Sequence, residues 1–418
     1  MRGQGGFELP GLFIAIVLFT IIVTLVGYRN IPSQFRGIMG GSIFLRIIGV
    51  LAYSFVVFSI YSGAADPVVY FRWGQRFADY FKEFSLEPFF NSDIWRGPAL
   101  TGTNFVGYPA AFAILLVGES FRGTWLLYSS LCLIGLFFFA KVFFRAYGGI
   151  DYKWYLTLVL LYPSLWFWTA SISKDTWMIF GVAVFLTGMV SKKRKQSIYV
   201  MAFGLLWCYL VRPQVAAILA FSLAGSYFLG SFKKFTFQNV AILVLSVVGA
   251  LYFLSVVGVN EVTEVTNYAT DQRAKSSYGG SQIQLFRGPL AFIFAPVNIL
   301  LRPFPWEVRS ALQVISFFDI YFIWFLALRN RKAVFRAIRM IQKDRLVAFS
   351  LIFIILFSVG AGLALSNLGL IARQRIILYP FMFIIIYAYS DKRVMFLAQK
   401  KKRRREEKLR EIAALQKA

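Results

Sequence analysis

The sequence contains no histidine and only two cysteines. Without histidine there is no imidazole to act as a general base, to ligate a metal, or to complete a Ser-His or Cys-His relay. Cys132 and Cys208 both lie in apolar runs, so no disulfide framework is implied. There is also no Walker A loop, no Gly-x-Gly-x-x-Gly after a strand, no CxxC pair and no HExxH helix. ATP-driven pumping and nicotinamide redox chemistry therefore have no support in the sequence. Acidic residues are scarce, 19 against 45 lysines and arginines. Charged residues of either sign make up only 15% of the chain.

What is abundant is apolar. Of 418 residues, 58% are hydrophobic and 18% aromatic, and the mean hydropathy is +0.65. A soluble domain of this size could not hide so much apolar side chain. The pattern is that of a polytopic helical membrane protein. The net charge of +26 can signal nucleic acid. Here the basic residues flank apolar segments, which fits positive-inside topology and makes nucleic acid no expected partner.

Eleven segments approach the length of ~20 residues needed to cross a bilayer: Gly11–Tyr28, Ile43–Ser62, Thr124–Phe144, Trp154–Ile172, Asp175–Val190, Ile198–Val211, Gln214–Leu229, Asn239–Gly258, Ala311–Leu328, Val347–Leu365 and Arg375–Ser390. The first lacks a small-residue cleavage site and reads as a retained helix. Basic clusters at Lys192–Lys195, Lys233–Lys234, Arg329–Arg345 and Lys400–Arg405 are placed in the cytoplasm. The N-terminus is then outside and the C-terminus inside. The expected fold is all-α: one transmembrane bundle over residues 1–390, with two large outer loops, 63–123 and 259–310, that contain interfacial helices. Residues 391–418 form a basic cytoplasmic tail that touches anionic lipid. Val106–Val117 is apolar but short, and is placed as a re-entrant or interfacial helix; were it to span, the topology before it would invert.

Residues that could carry chemistry collect at the expected outer face. Asp66 follows the second span, in Asp66-Pro67-Val68-Val69-Tyr70. A carboxylate there could act as a general base or hold a divalent metal. It could equally be a helix N-cap, since Asp before Pro is a common start signal. Asp79, Glu83, Glu87 and Asp93 follow in the same loop and read as a solvated polar face. Lys174 and Asp175 form a turn after the Trp- and Tyr-rich stretch Tyr162–Trp168. Lys174 could reach a lipid phosphate, and Asp175 could cap the next helix. Arg212, Arg302, Arg309, Arg373 and Arg375 sit at outer span ends, against the positive-inside tendency. Arginine suits bidentate phosphate recognition; each one singly could also snorkel to ordinary lipid. Glu307 is a second carboxylate candidate, or the ion-pair partner of Arg302 or Arg309. Asp319 and Arg46 are the main ionisable residues within spans.

Taken together, Asp66 with Tyr70, the stretch Pro163–Asp175, and Arg373-Gln374-Arg375 with Tyr379-Pro380 resemble the GT-C superfamily of membrane glycosyltransferases. They are also similar to the related polysaccharide polymerases and O-antigen ligases of bacterial envelopes. Gln374 stands where the family often has a tyrosine. Two spans, not one, precede the first outer loop, and the missing histidine speaks against a ligase. The resemblance implies Asp66 as catalytic base and a polyprenyl-(pyro)phosphate-linked sugar as donor. It implies a glycan or lipid acceptor, no certain cofactor, and a site on the periplasmic face of the inner membrane. Arg212, Arg302, Arg309, Arg373, Arg375, Lys174 and Tyr70 would form the substrate- and phosphate-binding set. The competing functions are a lipid-linked oligosaccharide flippase or other transporter, and a non-catalytic membrane subunit.

Overall fold

The computed structural model describes residues 8–91, 94, 102–231, 281–283, 285, 290–400 and 406–407. The expected span Asn239–Gly258, Asp93, most of the polar part of the second loop and most of the tail lie outside the described residues. Among the described residues the chain is all-helical, with no strand and one isolated bridge between Gln282 and Asn367.

In chain order the helices are α1 (Glu8–Asn30), α2 (Arg36–Phe55, extended by a π turn, Val56–Ile60), α3 (Asp66–Lys82), α4 (Glu87–Phe90), α5 (Gly107–Val117), α6 (Phe121–Tyr147), α7 (Tyr152–Leu161), α8 (Pro163–Phe167), α9 (Lys174–Met189), α10 (Arg194–Val211), α11 (Pro213–Ser231), α12 (Leu290–Leu300), α13 (Ala311–Arg329), α14 (Arg331–Arg339), α15 (Arg345–Ala364), α16 (Leu368–Arg375) and α17 (Tyr379–Tyr387). Among the described residues, six continuous helical stretches are long and apolar enough to cross a membrane: Glu8–Asn30, Ser33–Ile60, Phe121–Tyr147, Ala311–Arg329, Arg345–Ala364 and Leu368–Tyr387. Shorter apolar helices, including Lys195–Val211 and Pro213–Leu229, stand beside them.

The expected span Trp154–Ile172 is not one helix. Pro163 has no N–H to donate and its ring drives Tyr162 out of the helical region. Tyr162 is accordingly extended (φ −65°, ψ 126°), α7 stops there, and α8 is a separate turn. The chain then crosses the interior without regular structure before Ser173 caps α9, its Oγ accepting from the Thr176 N–H.

Burial separates centre from rim. The apolar windows of Phe121–Tyr147 and Leu368–Tyr387 are 78% and 83% buried, those of α1 and α13 only 22%. Helix α1 explains itself by period. Gly11, Ala15, Phe19, Val23 and Gly27 recur every four residues and are its buried face, packed along α6. The exposed residues Leu9, Phe13, Val17, Ile21 and Leu25 are equally apolar. Such a two-faced apolar helix is at home against hydrocarbon and not against water.

Small residues let backbones approach where lipid gives no hydrophobic drive between helices. At Gly204 of α10 an added Cβ would stand 2.5 Å from the Phe185 nitrogen of α9. At Gly360 of α15 it would meet nothing within 4 Å. Gly204→Ala should therefore lower stability by about 1–3 kcal/mol through overpacking. Gly360→Ala should leave it unchanged or slightly raised, since alanine is the better helix former. Melting curves of the detergent-purified chain compare the two; equal melting temperatures would contradict the close α9–α10 contact.

Candidate functional site

Three interruptions of helix bring the polar residues together. Pro213 cannot continue α10, so Arg212 sits at the corner between α10 and α11. The Ser173 cap places Lys174 and Asp175 in the first turn of α9, where a carboxylate suits the helix dipole. The Asn367 side chain accepts from the Gly369 and Leu370 N–H groups and starts α16, which carries Arg373 in its last turn.

Asp175 is the hub. It does not cap α9, a role that Ser173 fills, but is buried beneath two arginines. Its Oδ1 accepts from Arg212 Nη1 at 2.8 Å and its Oδ2 from Arg373 Nε at 2.5 Å. Arg373 Nη1 then donates to Asp66 Oδ2 at 2.8 Å. The Asp175 side chain is 3% exposed and both arginines 10%, whereas Asp66 is 53% exposed. Asp66 is the first residue of α3, whose N-cap is Ala65 and whose start has no side-chain cap bond. Its carboxylate serves Arg373, not the helix end, and its Oδ1 makes no hydrogen bond among the described residues.

Lys174, at the edge of α9 ahead of the apolar segment, donates to Thr103 Oγ1 at 2.5 Å. Burial first, and then the Arg212 charge, pushes its ammonium down to about 8, while Asp66 pulls the other way. Tyr70 lies one turn after Asp66 on α3 and is buried. Burial, then the Asp66 carboxylate, holds its phenol well above the usual range, so it stays a neutral donor. Beneath the cluster Trp177 stacks on Trp207 at 3.9 Å and donates to its carbonyl, fixing α9 to α10. Lys174, Arg212 and Arg373 against Asp66 and Asp175 give a net charge of +1 (three minus two).

The remaining expected residues are elsewhere. Arg375 lies two positions from Arg373, about 200° around the helix. Its guanidinium is spent on the carbonyls of Ile299, Arg302 and Ser316, on Ser316 Oγ and on the Tyr379 hydroxyl. Tyr379 in turn donates to Asp319. Arg302 and Glu307 form a local ion pair at 3.4 Å, and Glu307 also accepts from the Phe304 N–H at 2.9 Å. Arg309 is exposed. Arg46 is buried and bonds Thr169 Oγ1. Asp79 pairs with Lys82 on the surface. Of the five arginines expected at outer span ends, two thus converge on Asp175, and one of these, Arg373, also holds Asp66. Asp175 is the residue sequence reasoning undervalued. The available signal was charge accounting, because outer arginines drawn into the bundle each need a counter-ion. Among the described residues no three metal-capable side chains gather.

Removing Asp175 leaves the buried Arg212 guanidinium without its carboxylate and the buried Arg373 with Asp66 alone. Asp175→Ala should cost about 3–5 kcal/mol. Asp66→Ala breaks a half-exposed pair and should cost about 1 kcal/mol or less. Thermal melting in detergent measures both, and a mild Asp175→Ala phenotype would contradict the hub.

Comparison with protein-family models, with curated proteins and with solved structures gave no match.

Proposed function

We propose that this chain is a cell-envelope glycosyltransferase or polysaccharide polymerase. It takes a sugar from a polyprenyl-(pyro)phosphate-linked donor to an acceptor hydroxyl on the outer face of the inner membrane. The observation that carries this reading is the half-exposed Asp66 carboxylate, oriented by an arginine that is itself locked to a buried aspartate. Beside it is a net positive cluster able to meet a phosphate. The resemblance of the same residues to the GT-C superfamily points the same way. The outer placement is supported by the helices themselves: Lys192, Lys193, Lys343 and Arg345 sit at the opposite ends of α9 and α15 from the cluster.

In this mechanism Asp66 Oδ1 accepts the proton of the acceptor hydroxyl. The acceptor oxygen forms the new bond to the anomeric carbon. The bond from that carbon to the phosphate oxygen breaks, and its electron pair leaves with the phosphate. Lys174, Arg212 and Arg373 meet the charge that develops there, which is the main electrostatic contribution. The fork of Arg373 keeps Asp66 from turning away while the acceptor binds.

Asp66→Asn keeps an acceptor for Arg373 but removes the base. Envelope-glycan product in cells carrying only this variant should fall about a hundredfold or more, with the melting temperature nearly unchanged. Near-normal product from a stably folded variant removes Asp66 from the role.

Lys174 also predicts a pH effect. It is charged below about 8 and neutral above, while a phosphate monoester with a second pKa near about 6 keeps its charge between pH 7 and pH 9. Affinity for a polyprenyl phosphate should therefore fall as pH rises through about 8. Lys174→Arg should flatten that profile, because guanidinium stays charged. Binding curves at fixed ionic strength test this; identical slopes for wild type and variant exclude Lys174 from the phosphate.

A further inference from the structure

At the other end of the bundle lies a cavity of about 480 Å³ that the proposed reaction does not use. Helices α6, α9 and α11 run from the Asp66–Asp175 region to this cavity. Helix α15 begins there and runs back. By helix rise the two regions are about 24–30 Å apart. Tyr147, Tyr227 and Tyr389 line the cavity together with Lys343, Arg345 and Arg393. The one carboxylate among the lining residues, Asp344, is already committed. Its Oδ1 accepts from the Leu346 and Val347 N–H groups and its Oδ2 from the Tyr389 hydroxyl. None of the three cations forms an ion pair among the described residues. The two arginines rest on aromatic faces instead, Arg345 at 4.3 Å from the Tyr227 ring centre and Arg393 at 4.6 Å from that of Tyr147. Arg393 Nε is buried and has no acceptor among the described residues. A buried guanidinium N–H without an acceptor is costly, and an anion would relieve it.

We infer that this cavity is a second anion site, taking a phosphate-bearing group held by Lys343, Arg345 and Arg393 between tyrosine rings. The group is the phosphodiester of an anionic lipid or a free phosphate. Arginine and lysine on two sides of an aromatic-lined cavity suit either. The apolar part of the lining, Met189 and Leu346 among it, suits the glycerol end of a lipid.

The test uses the full chain purified in detergent. Phosphatidylglycerol binding is followed by native mass spectrometry with phosphatidylcholine as the neutral control, and inorganic phosphate binding by titration calorimetry. The site variant is Lys343→Gln with Arg345→Gln, both at exposed positions. The control is Lys192→Gln with Lys193→Gln, which removes the same charge outside the cavity. The site variant should weaken one probe about tenfold or more, and the control should weaken neither to that degree. Loss confined to phosphatidylglycerol identifies the lipid; loss of inorganic phosphate identifies the free anion. The inference fails if a site variant that melts like wild type binds both probes unchanged. It fails too if the control loses as much, or if wild type binds neither.

Discussion

The arrangement turns on one buried carboxylate shared by two arginines. Asp175 presents each oxygen to a different guanidinium, one from the α10–α11 corner and one from α16. Taking any of these charges out of water alone would cost several kcal/mol. Together they are tolerable, because each unfavourable desolvation is met by a charge-assisted bond at close range. The consequence is positional. Three segments far apart in sequence are pinned at one point, and the pin holds only while all three charges are present. Arg373 then has one edge left, and that edge faces Asp66. A lysine could not make this link, since a single ammonium does not present two divergent donors in one rigid plane.

The same helix that aims Arg373 outward aims Arg375 inward. Two residues on an α-helix are about 200° apart, so a pair written side by side in sequence is split between opposite faces. Arg373 joins carboxylates and gains reach toward a half-open space. Arg375, fully buried, is surrounded by carbonyls and hydroxyls from α12, the segment after it, α13 and α17. This second set ties Arg302, and through it the Glu307 segment, to the far side of α16. Asp319 reaches it through Tyr379 and not by a path open to solvent. Arg375 is therefore a brace that holds α16 while Arg373 works on the other face.

Much of this was legible in the sequence. Apolar length and the missing histidine fixed the class and removed whole chemistries. The two-faced apolar α1 and the break at Pro163 follow from residue period and proline geometry, although a hydropathy window ran across the break without registering it. Asp66, Lys174, Arg212 and Arg373 were recognisable by residue type and position. What could not be read was pairing. Which arginine meets which carboxylate depends on contacts between positions 66, 175, 212 and 373, and no local rule spans such distances. Arg373 and Arg375 looked alike because composition has no angle. For Glu307 the ion pair with a neighbouring arginine was legible and Arg302 is the partner, but its bond from the Phe304 N–H is made by a tight turn that hydropathy does not describe.

Pairing also removes a difficulty that composition raised. Arginines on an outer face conflict with the preference for keeping positive charge inside. That preference concerns charge that water and the membrane field can feel. Arg212 and Arg373 are each bound to a carboxylate, so the cluster as a whole carries little net charge despite holding three cations. Lys343, Arg345 and Arg393 at the other end have no such partners and remain as full positive charges. An orientation rule that counted only unpaired cations would place the Asp175 cluster outside and the tyrosine-lined cavity inside. In the proposed orientation, then, Arg212 and Arg373 are neutralised before the membrane field can act on them.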